Sequence, residues 1–163
     1  MEKKNYKLII FDADDTLRFC TIKGQPCPNK PGEWKLLPNV KEKLLKYNWG
    51  SPAEGKVGYG IASNQGGVGM GYFKAEMAFQ LLKDTFMAAF GFEPEEKVIQ
   101  MCTPKPHVHS ECRKPKPGML LNIMNFWKVE PVDTLFIGDM ESDKQTAENA
   151  KCDFIWAKEF FNK

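Results

Sequence analysis

Two carboxylates, two residues apart, follow an apolar run near the start of the sequence. Asp12 and Asp14 come directly after the run 8–11. Side chains at i and i+2 of an extended segment point the same way, so these carboxylates should converge above the end of a buried strand. Like charges held that close need a cation, a shared proton or open water. The pair therefore indicates a site, and an enzyme more than a binding module.

Polar side chains also follow three later apolar runs that are typical of strands. They are Ser63 and Asn64 after 57–62, Arg113 and Lys114 beyond 97–101, and Asp139 and Asp143 after 134–137. Carboxylates can hold Mg²⁺, while a hydroxyl, an amide and a lysine can surround an anion. This combination of groups suits the transfer of a phosphoryl group.

The same residues, in the same order, resemble the haloacid dehalogenase (HAD) superfamily of phosphatases. The matching motifs are Asp12-x-Asp14-x-Thr16, Ser63-Asn64-Gln65, Arg113-Lys114-Pro115 and Gly138-Asp139-x-x-x-Asp143. Four motifs in this order, each after a strand-like run, are a specific signal, although each is weak alone. The stretches 63–67 and 112–119 resemble the small capless members. These include histidinol-phosphate and heptose-bisphosphate phosphatases and the phosphatase domain of polynucleotide kinase-phosphatases.

The resemblance implies a role for each matching residue. Asp12 would attack phosphorus and form an aspartyl-phosphate, and Asp14 would protonate the leaving oxygen and then activate water. Asp12, the backbone carbonyl of Asp14 and Asp139 would hold Mg²⁺, which Asp143 would support indirectly. The phosphate and substrate contacts would come from Ser63, Lys114, Thr16, Asn64 and Arg113.

Two positions leave alternatives open. The family usually has glycine where this chain has Asp15. A carboxylate there adds negative charge beside the nucleophile, and it either faces solvent or alters metal or substrate preference. Lys114 fits the Arg-Lys-Pro motif, whereas Lys116 would lie at the start of a helix.

A loop before Arg113 contains four potential zinc ligands, which include both histidines of the chain: Cys102, His107, His109 and Cys112. Two thiolates and two imidazoles make a complete tetrahedral set for structural Zn²⁺. The phosphatases named above often carry a zinc loop at this place, although their ligand spacing differs. We expect Zn²⁺ here, with a solvated loop as the alternative. The other three cysteines are expected to be free thiols: Cys20, Cys27 and Cys152.

Strands and helices alternate along the rest of the chain. The pattern predicts strands over 7–11, 57–62, 97–101, 134–137 and 153–156. It predicts helices over 40–47, 73–90 and 118–128, and one from a Ser142–Gln145 capping box to Ala150. Such alternation is typical of an α/β fold, a three-layer, Rossmann-like parallel sheet with helices on both faces. We expect one HAD-like domain over 1–163 without a cap domain.

The irregular stretch 18–37 leaves the strand that carries Asp12 and contains three prolines. A loop of this length in a compact domain is usually functional or mobile. We interpret it as a substrate-facing flap, with a merely decorative loop as the alternative.

Composition limits the remaining choices. The chain has 163 residues, 42% of them hydrophobic, and a formal net charge of +2. A packed core is expected, while a general affinity for nucleic acid or membrane is not. The N-terminus lacks the apolar stretch of a signal peptide, so the cytoplasm is the expected location. An odd cysteine count without an export signal argues against a disulfide framework.

We therefore predict a Mg²⁺-dependent phosphatase that acts on a small phosphorylated metabolite, such as a sugar or amino alcohol phosphate. One alternative is a phosphatase for nucleic-acid 3′-phosphate ends, which an open site could admit. The near-neutral charge favours it less, because strand binding usually needs a basic groove. An alternative of another class is a non-catalytic, metal-binding regulatory domain on the same fold.

Overall fold

A parallel sheet forms the centre of the molecule. The computed structural model describes residues 4–105 and 110–162. The strands are β1 (Leu8–Phe11), β2 (Arg18–Cys20), β3 (Trp34–Leu36), β4 (Gly58–Asn64), β5 (Ile99–Cys102), β6 (Thr134–Gly138) and β7 (Asp153–Trp156). Five of them form the sheet in the order β5-β4-β1-β6-β7, and every neighbouring pair is parallel. The other two, β2 and β3, pair as an antiparallel hairpin.

The central place of β1 follows from its composition. All four of its residues are apolar and buried, as expected for a parallel strand covered on both faces. Phe11 pairs with Ile61 of β4 on one side and with Ile137 of β6 on the other. Because these strands are parallel, their carboxyl ends meet at one edge of the sheet, where the candidate site residues follow.

Helices cover both faces of this sheet. They are α1 (Val40–Leu44), α2 (Gly66–Gly69), α3 (Ala75–Phe90), α4 (Gly118–Trp127), α5 (Glu141–Ala150) and α6 (Ala157–Phe161). On one face, the ring of Phe11 lies 5.6 Å from that of Phe90 in α3 and 6.0 Å from that of Phe160 in α6. On the other face, Gly60 of β4 packs so closely against Ile123 of α4 that a Cβ would lie 2.8 Å from it. The predicted three-layer α/β fold is confirmed.

Several element boundaries differ from those predicted. The capping box was placed wrongly, because α5 begins at Glu141 and the Asp143 side chain accepts the backbone N–H of Met140. The predicted helix 40–47 ends at Leu44, and α3 begins at Ala75. Within the described ranges, only the β2–β3 hairpin, α1 and a short 3₁₀ turn lie between β1 and β4, so no cap domain is inserted there.

The stretch 18–37 is thus partly regular, since β2 and β3 hold its two ends together. In the part of the chain that the structure describes, no helix is long and apolar enough to cross a membrane.

Candidate active site

Three carboxylates from distant parts of the sequence meet at the carboxyl edge of the sheet. Asp12 follows β1, Asp139 follows β6, and Asp143 projects from the first turn of α5. One carboxylate oxygen from each lies within 4.8 Å of the others. The Thr16 hydroxyl lies 3.2 Å from Asp12 Oδ2 and 3.5 Å from Asp139 Oδ1. The structure therefore brings together the acidic residues that the sequence predicted around a metal ion.

Asp143 holds the loop that carries Asp139. Its Oδ2 atom accepts the backbone N–H groups of Asp139 at 3.1 Å and Met140 at 3.0 Å. A Cβ atom at Gly138 would lie 2.5 Å from that same oxygen. Only glycine therefore fits before Asp139 while Asp143 holds this position.

Lys114 lies between two of these carboxylates. Its ammonium donates to Asp12 Oδ1 at 2.8 Å, to Asp143 Oδ1 at 2.7 Å and to the Ala62 carbonyl at 3.2 Å. Burial works to lower the pKa of Lys114, but the charges and hydrogen bonds of Asp12 and Asp143 outweigh it and raise that pKa above the ordinary value. Lys116 instead contacts Glu111. Lys114 is therefore the lysine at the carboxylates.

The carboxylates repel one another in the absence of a cation. Burial, together with the hydrogen bond and negative charge of Asp12, raises the pKa of Asp139 to about 8. Burial and the charge of Asp12 also raise the pKa of Asp143, against the opposing effect of Lys114. A divalent cation between these oxygens would offset the repulsion, so the donor set suits Mg²⁺, which prefers carboxylate oxygens.

The Asp14 carboxylate does not point into this group. Its oxygens face Arg18, whose Nε lies 2.8 Å from Oδ1, and Gln65, whose Nε2 donates to Oδ2 at 3.0 Å. The same Gln65 nitrogen lies 2.7 Å from Ser63 Oγ. The expectation that Asp12 and Asp14 converge on one small volume is therefore only partly met, since each carboxylate is held by different partners.

The predicted substrate contacts occupy different environments. The Asn64 Oδ1 atom accepts the backbone N–H of Lys114 at 3.2 Å, so Asn64 ties the end of β4 to the lysine loop. Arg113 Nη1 is buried without a hydrogen-bond partner among residues 4–105 and 110–162. Ser63 is buried beside Gln65.

Sequence reasoning missed Arg18 and Gln65 as parts of the site. Gln65 was recognised only as part of a motif. The i, i+4 spacing of Asp14 and Arg18 was the available signal for Arg18, but a charged residue in an irregular stretch gives no indication of being fully buried.

The structure does not support the zinc site. Cys102 and Cys112 are joined by a disulfide, so their sulfur atoms are not the thiolates that zinc requires. His107 and His109 lie outside the described residues. The sequence argued against a disulfide framework, and the structure has this disulfide among the described residues. Cys20, Cys27 and Cys152 are free as predicted.

Asp15 lines a cavity beside the carboxylate cluster. The backbone φ angle of Asp15 is 63°. This is a left-handed conformation that glycine adopts most easily and that aspartate tolerates. The cavity has a volume of about 500 Å³. Its walls are formed by Asp15, Thr16, Leu37, Pro38, Asp139, Trp156, Ala157, Lys158, Phe161 and Asn162. The exposed Asp15 carboxylate therefore lies beside both the carboxylate cluster and a space large enough for a small organic group.

Sequence comparison identifies related proteins. A sequence model described as polynucleotide kinase 3 phosphatase matches residues 7–161. The D-glycero-alpha-D-manno-heptose-1,7-bisphosphate 7-phosphatase of Campylobacter jejuni is 37% identical over 91 residues, or 55% of this chain and 51% of that protein. A probable D-glycero-D-manno-heptose-1,7-bisphosphate 7-phosphatase of Thermoplasma volcanium is 28% identical over 151 residues, or 91% and 96% of the two chains. The match thus spans about half the length of the first relative and nearly all of the second.

Structural comparison gives a similar result. The D,D-heptose 1.7-bisphosphate phosphatase of B. bronchiseptica, complexed with magnesium and phosphate, has a TM-score of 0.72 to this chain at 26% identity. The similarity covers 91% of this chain and 78% of that chain.

Proposed function

This chain belongs to the polynucleotide kinase 3 phosphatase family of the HAD superfamily, and from that premise we propose that it is a Mg²⁺-dependent phosphatase. It hydrolyses a phosphomonoester through an aspartyl-phosphate on Asp12. The observation that carries the proposal is the position of Asp12, buried between Lys114 and the Asp139–Asp143 pair. A carboxylate in contact with a protonated lysine and with a cation-binding cluster suits attack on a dianionic phosphate.

Asp12, Asp139 and the backbone carbonyl of Asp14 would hold Mg²⁺, and Asp143 would keep Asp139 in place. When bound, Mg²⁺ supplies positive charge that offsets the negative charge of the carboxylates and of the phosphoryl oxygens. The magnesium in the B. bronchiseptica phosphatase supports this assignment.

The side chains perform the two chemical steps. An Asp12 oxygen forms a bond to phosphorus while the ester P–O bond breaks, and Asp14 gives its proton to the departing oxygen. The Asp14 carboxylate then takes a proton from water, which attacks the aspartyl-phosphate, releases inorganic phosphate and regenerates Asp12. Ser63 and Lys114 donate hydrogen bonds to the non-bridging oxygens and counter the charge that develops on them.

The substrate that best suits the site is a sugar phosphate. Both curated relatives above are named for a heptose bisphosphate. The cavity beside Asp139 has room for a ring of that size, and it combines an aromatic wall at Trp156 with polar groups at Asp15 and Lys158. Such a mixture of an apolar face and hydrogen-bonding groups suits a hydroxylated ring.

The test is phosphate release from a panel of substrates. We expect release from sugar phosphates, heptose bisphosphate included, and its loss when EDTA removes the metal. The Asp133→Asn variant should match the natural protein, because Asp133 pairs with Lys7 away from the site. Absence of release from every monoester in the presence of Mg²⁺ would overturn the proposal and favour a non-catalytic domain.

The family description favours one other substrate class, namely 3′-phosphorylated ends of nucleic acid. If oligonucleotides were the substrate, kcat/KM would fall steeply with added salt, because bound cations are released from the phosphate backbone. We expect instead that release from 3′-phosphorylated oligonucleotides is much slower than release from sugar phosphates. The net charge of +2 gives little basis for binding a strand.

The apparent affinity for Mg²⁺ should depend on pH. Because the pKa of Asp139 is raised to about 8, this carboxyl is mostly protonated at lower pH and must lose its proton to bind a cation. Apparent affinity should therefore rise by up to about tenfold per pH unit between about pH 6 and 8 and then level off. Titration calorimetry in two buffers of different ionisation enthalpy measures both the affinity and the released proton.

The Asp139→Asn variant is the control for this measurement. It should bind Mg²⁺ weakly at every pH and release fewer protons than the natural protein. An affinity of the natural protein that stays constant over the same range would contradict the raised pKa of Asp139. Binding of Mg²⁺ by Asp139→Asn as tightly as by the natural protein would show that Asp139 is not a ligand.

A further inference from the structure

Arg18 is fully buried, although it carries a charge and begins the β2–β3 hairpin at the molecular surface. Its relative exposure is 0%. Nε of Arg18 lies 2.8 Å from Oδ1 of Asp14, and Nη2 of Arg18 lies 3.5 Å from Oδ2. At its other end, Nη1 donates to the Leu81 carbonyl at 3.1 Å and to Thr85 Oγ1 at 2.9 Å, both in α3. One side chain therefore joins the hairpin, α3 and the Asp14 carboxylate.

Stability alone gives little reason for an arginine here. Removing a guanidinium from water costs several kcal/mol, and well-packed apolar residues of similar volume often replace buried ion pairs without loss. What a methionine or leucine could not do is fix the plane of a carboxylate. The planar fork of arginine does this, because it offers two donors in a set geometry.

Asp14 is held from a second side as well. Gln65 Nε2, at the end of β4, donates to Oδ2 at 3.0 Å. The carboxylate thus lies between a donor on the hairpin and a donor on the sheet, and the arginine is itself anchored on α3. A proton donor must lie within hydrogen-bond reach of the atom it protonates, and small displacements reduce catalysis strongly.

We infer that Arg18 is a positioning residue for proton transfer by Asp14. This rests on the proposed function, in which Asp14 protonates the ester oxygen as the P–O bond breaks. Arg18 acts only through the carboxyl of Asp14, which it contacts. It fixes the orientation of the Asp14 carboxyl, from which the proton passes to the leaving oxygen.

The basicity of the leaving group separates this role from a merely structural one. An alkoxide leaving from a sugar or glycerol phosphate needs a proton, whereas p-nitrophenolate leaves without one. The ratio kcat/KM covers the steps up to the departure of the leaving group, so the later hydrolysis of the aspartyl-phosphate does not enter it. A residue that acts through Asp14 should therefore matter for alkyl phosphates and much less for p-nitrophenyl phosphate.

The experiment compares Arg18→Met, Arg18→Lys and Asp14→Asn with the natural protein on both substrates. Arg18→Met should lower kcat/KM for the alkyl phosphate by about 10²-fold or more, and that for p-nitrophenyl phosphate by less than about tenfold. In a double variant, Arg18→Met should lower kcat/KM for the alkyl phosphate only slightly below the value of Asp14→Asn alone, because both substitutions remove the same proton transfer. Lys7→Met, which removes an exposed cation, should change neither value.

If Arg18→Met does not fold, as judged by circular dichroism, Arg18→Lys carries the test. Lysine keeps the positive charge but lacks the two planar donors of the guanidinium. Arg18→Lys should therefore also lower kcat/KM for the alkyl phosphate more than that for p-nitrophenyl phosphate, but by a smaller factor than Arg18→Met. Equal losses on both substrates in the folded variant, or full additivity with Asp14→Asn, would overturn the inference. Failure of the natural protein to hydrolyse either substrate would instead count against the proposed function.

Discussion

Replacement of Asp12 by asparagine is expected to lower kcat by at least about 10⁴-fold while the fold survives. An amide oxygen is too weak a nucleophile to form the aspartyl-phosphate. The single amide oxygen of asparagine can still accept a hydrogen bond from Lys114, which lies 2.8 Å from Asp12 Oδ1. The amide nitrogen would then face the Thr16 hydroxyl, which lies 3.2 Å from Oδ2 and can act as an acceptor. Steady-state hydrolysis of p-nitrophenyl phosphate measures the loss, and circular dichroism checks the fold.

A second measurement identifies the covalent step directly. The natural protein, acid-quenched during turnover of a radiolabelled substrate, should carry label that hydroxylamine removes, as an acyl phosphate does. The Asp12→Asn variant should carry none. Turnover above about a hundredth of the natural rate in a folded variant would contradict the assignment of Asp12 as nucleophile.

Replacement of Lys114 by methionine is expected to reduce both stability and activity. Without the ammonium, the carboxylates of Asp12 and Asp143 are left buried and uncompensated, which typically costs about 3–5 kcal/mol. For a chain of this size that corresponds to a fall of about 10 °C in Tm. The loss of a cation at the phosphoryl oxygens should lower kcat by about 10²–10³-fold.

Two comparisons sharpen this result. Lys116→Met removes a lysine that contacts the exposed Glu111, so it should leave Tm and kcat nearly unchanged. Added Mg²⁺ should raise the Tm of Lys114→Met more than that of the natural protein, since the cation replaces the missing positive charge. If both lysine variants behave alike, Lys114 does not compensate the buried carboxylates.

The central sheet could be predicted because its strands are short apolar runs. All five predicted strands are present, and the run 153–156 has the predicted bounds. The alternation of strands with helices predicts that the strands run parallel. Parallel strands have their carboxyl ends at one edge of the sheet, and this places Asp12 and Asp139 at the same edge. The convergence of carboxylates more than a hundred residues apart was therefore accessible from sequence, since it depends on topology rather than on side-chain detail.

The surroundings of Asp14 were not accessible in the same way. Local spacing shows that Asp14 follows a strand, but its partners come from the β2–β3 hairpin and from the end of β4. That hairpin has three-residue strands, too short for a period-two pattern to be recognised. Burial of Arg18 also contradicts the usual preference of arginine for the surface, so only the tertiary contacts with α3 reveal it.

The loop 102–112 shows a different limit of sequence reasoning. Cysteine and histidine in a short loop fit several chemistries, and composition alone does not separate them. The direct bond between Cys102 and Cys112 depends on where β5 ends relative to the start of the Arg-Lys-Pro segment. That distance is a property of the folded chain and not of the spacing along it.

The position of β1 between β4 and β6 has a consequence for biosynthesis. Strand β1 leaves the ribosome before its neighbour β6, which is translated only after more than a hundred further residues, as the pairing of Phe11 with Ile137 shows. Until then one edge of β1 has no partner, and edges of this kind expose growing chains to aggregation. Arrest of translation before residue 134 should therefore yield nascent chains that engage chaperones.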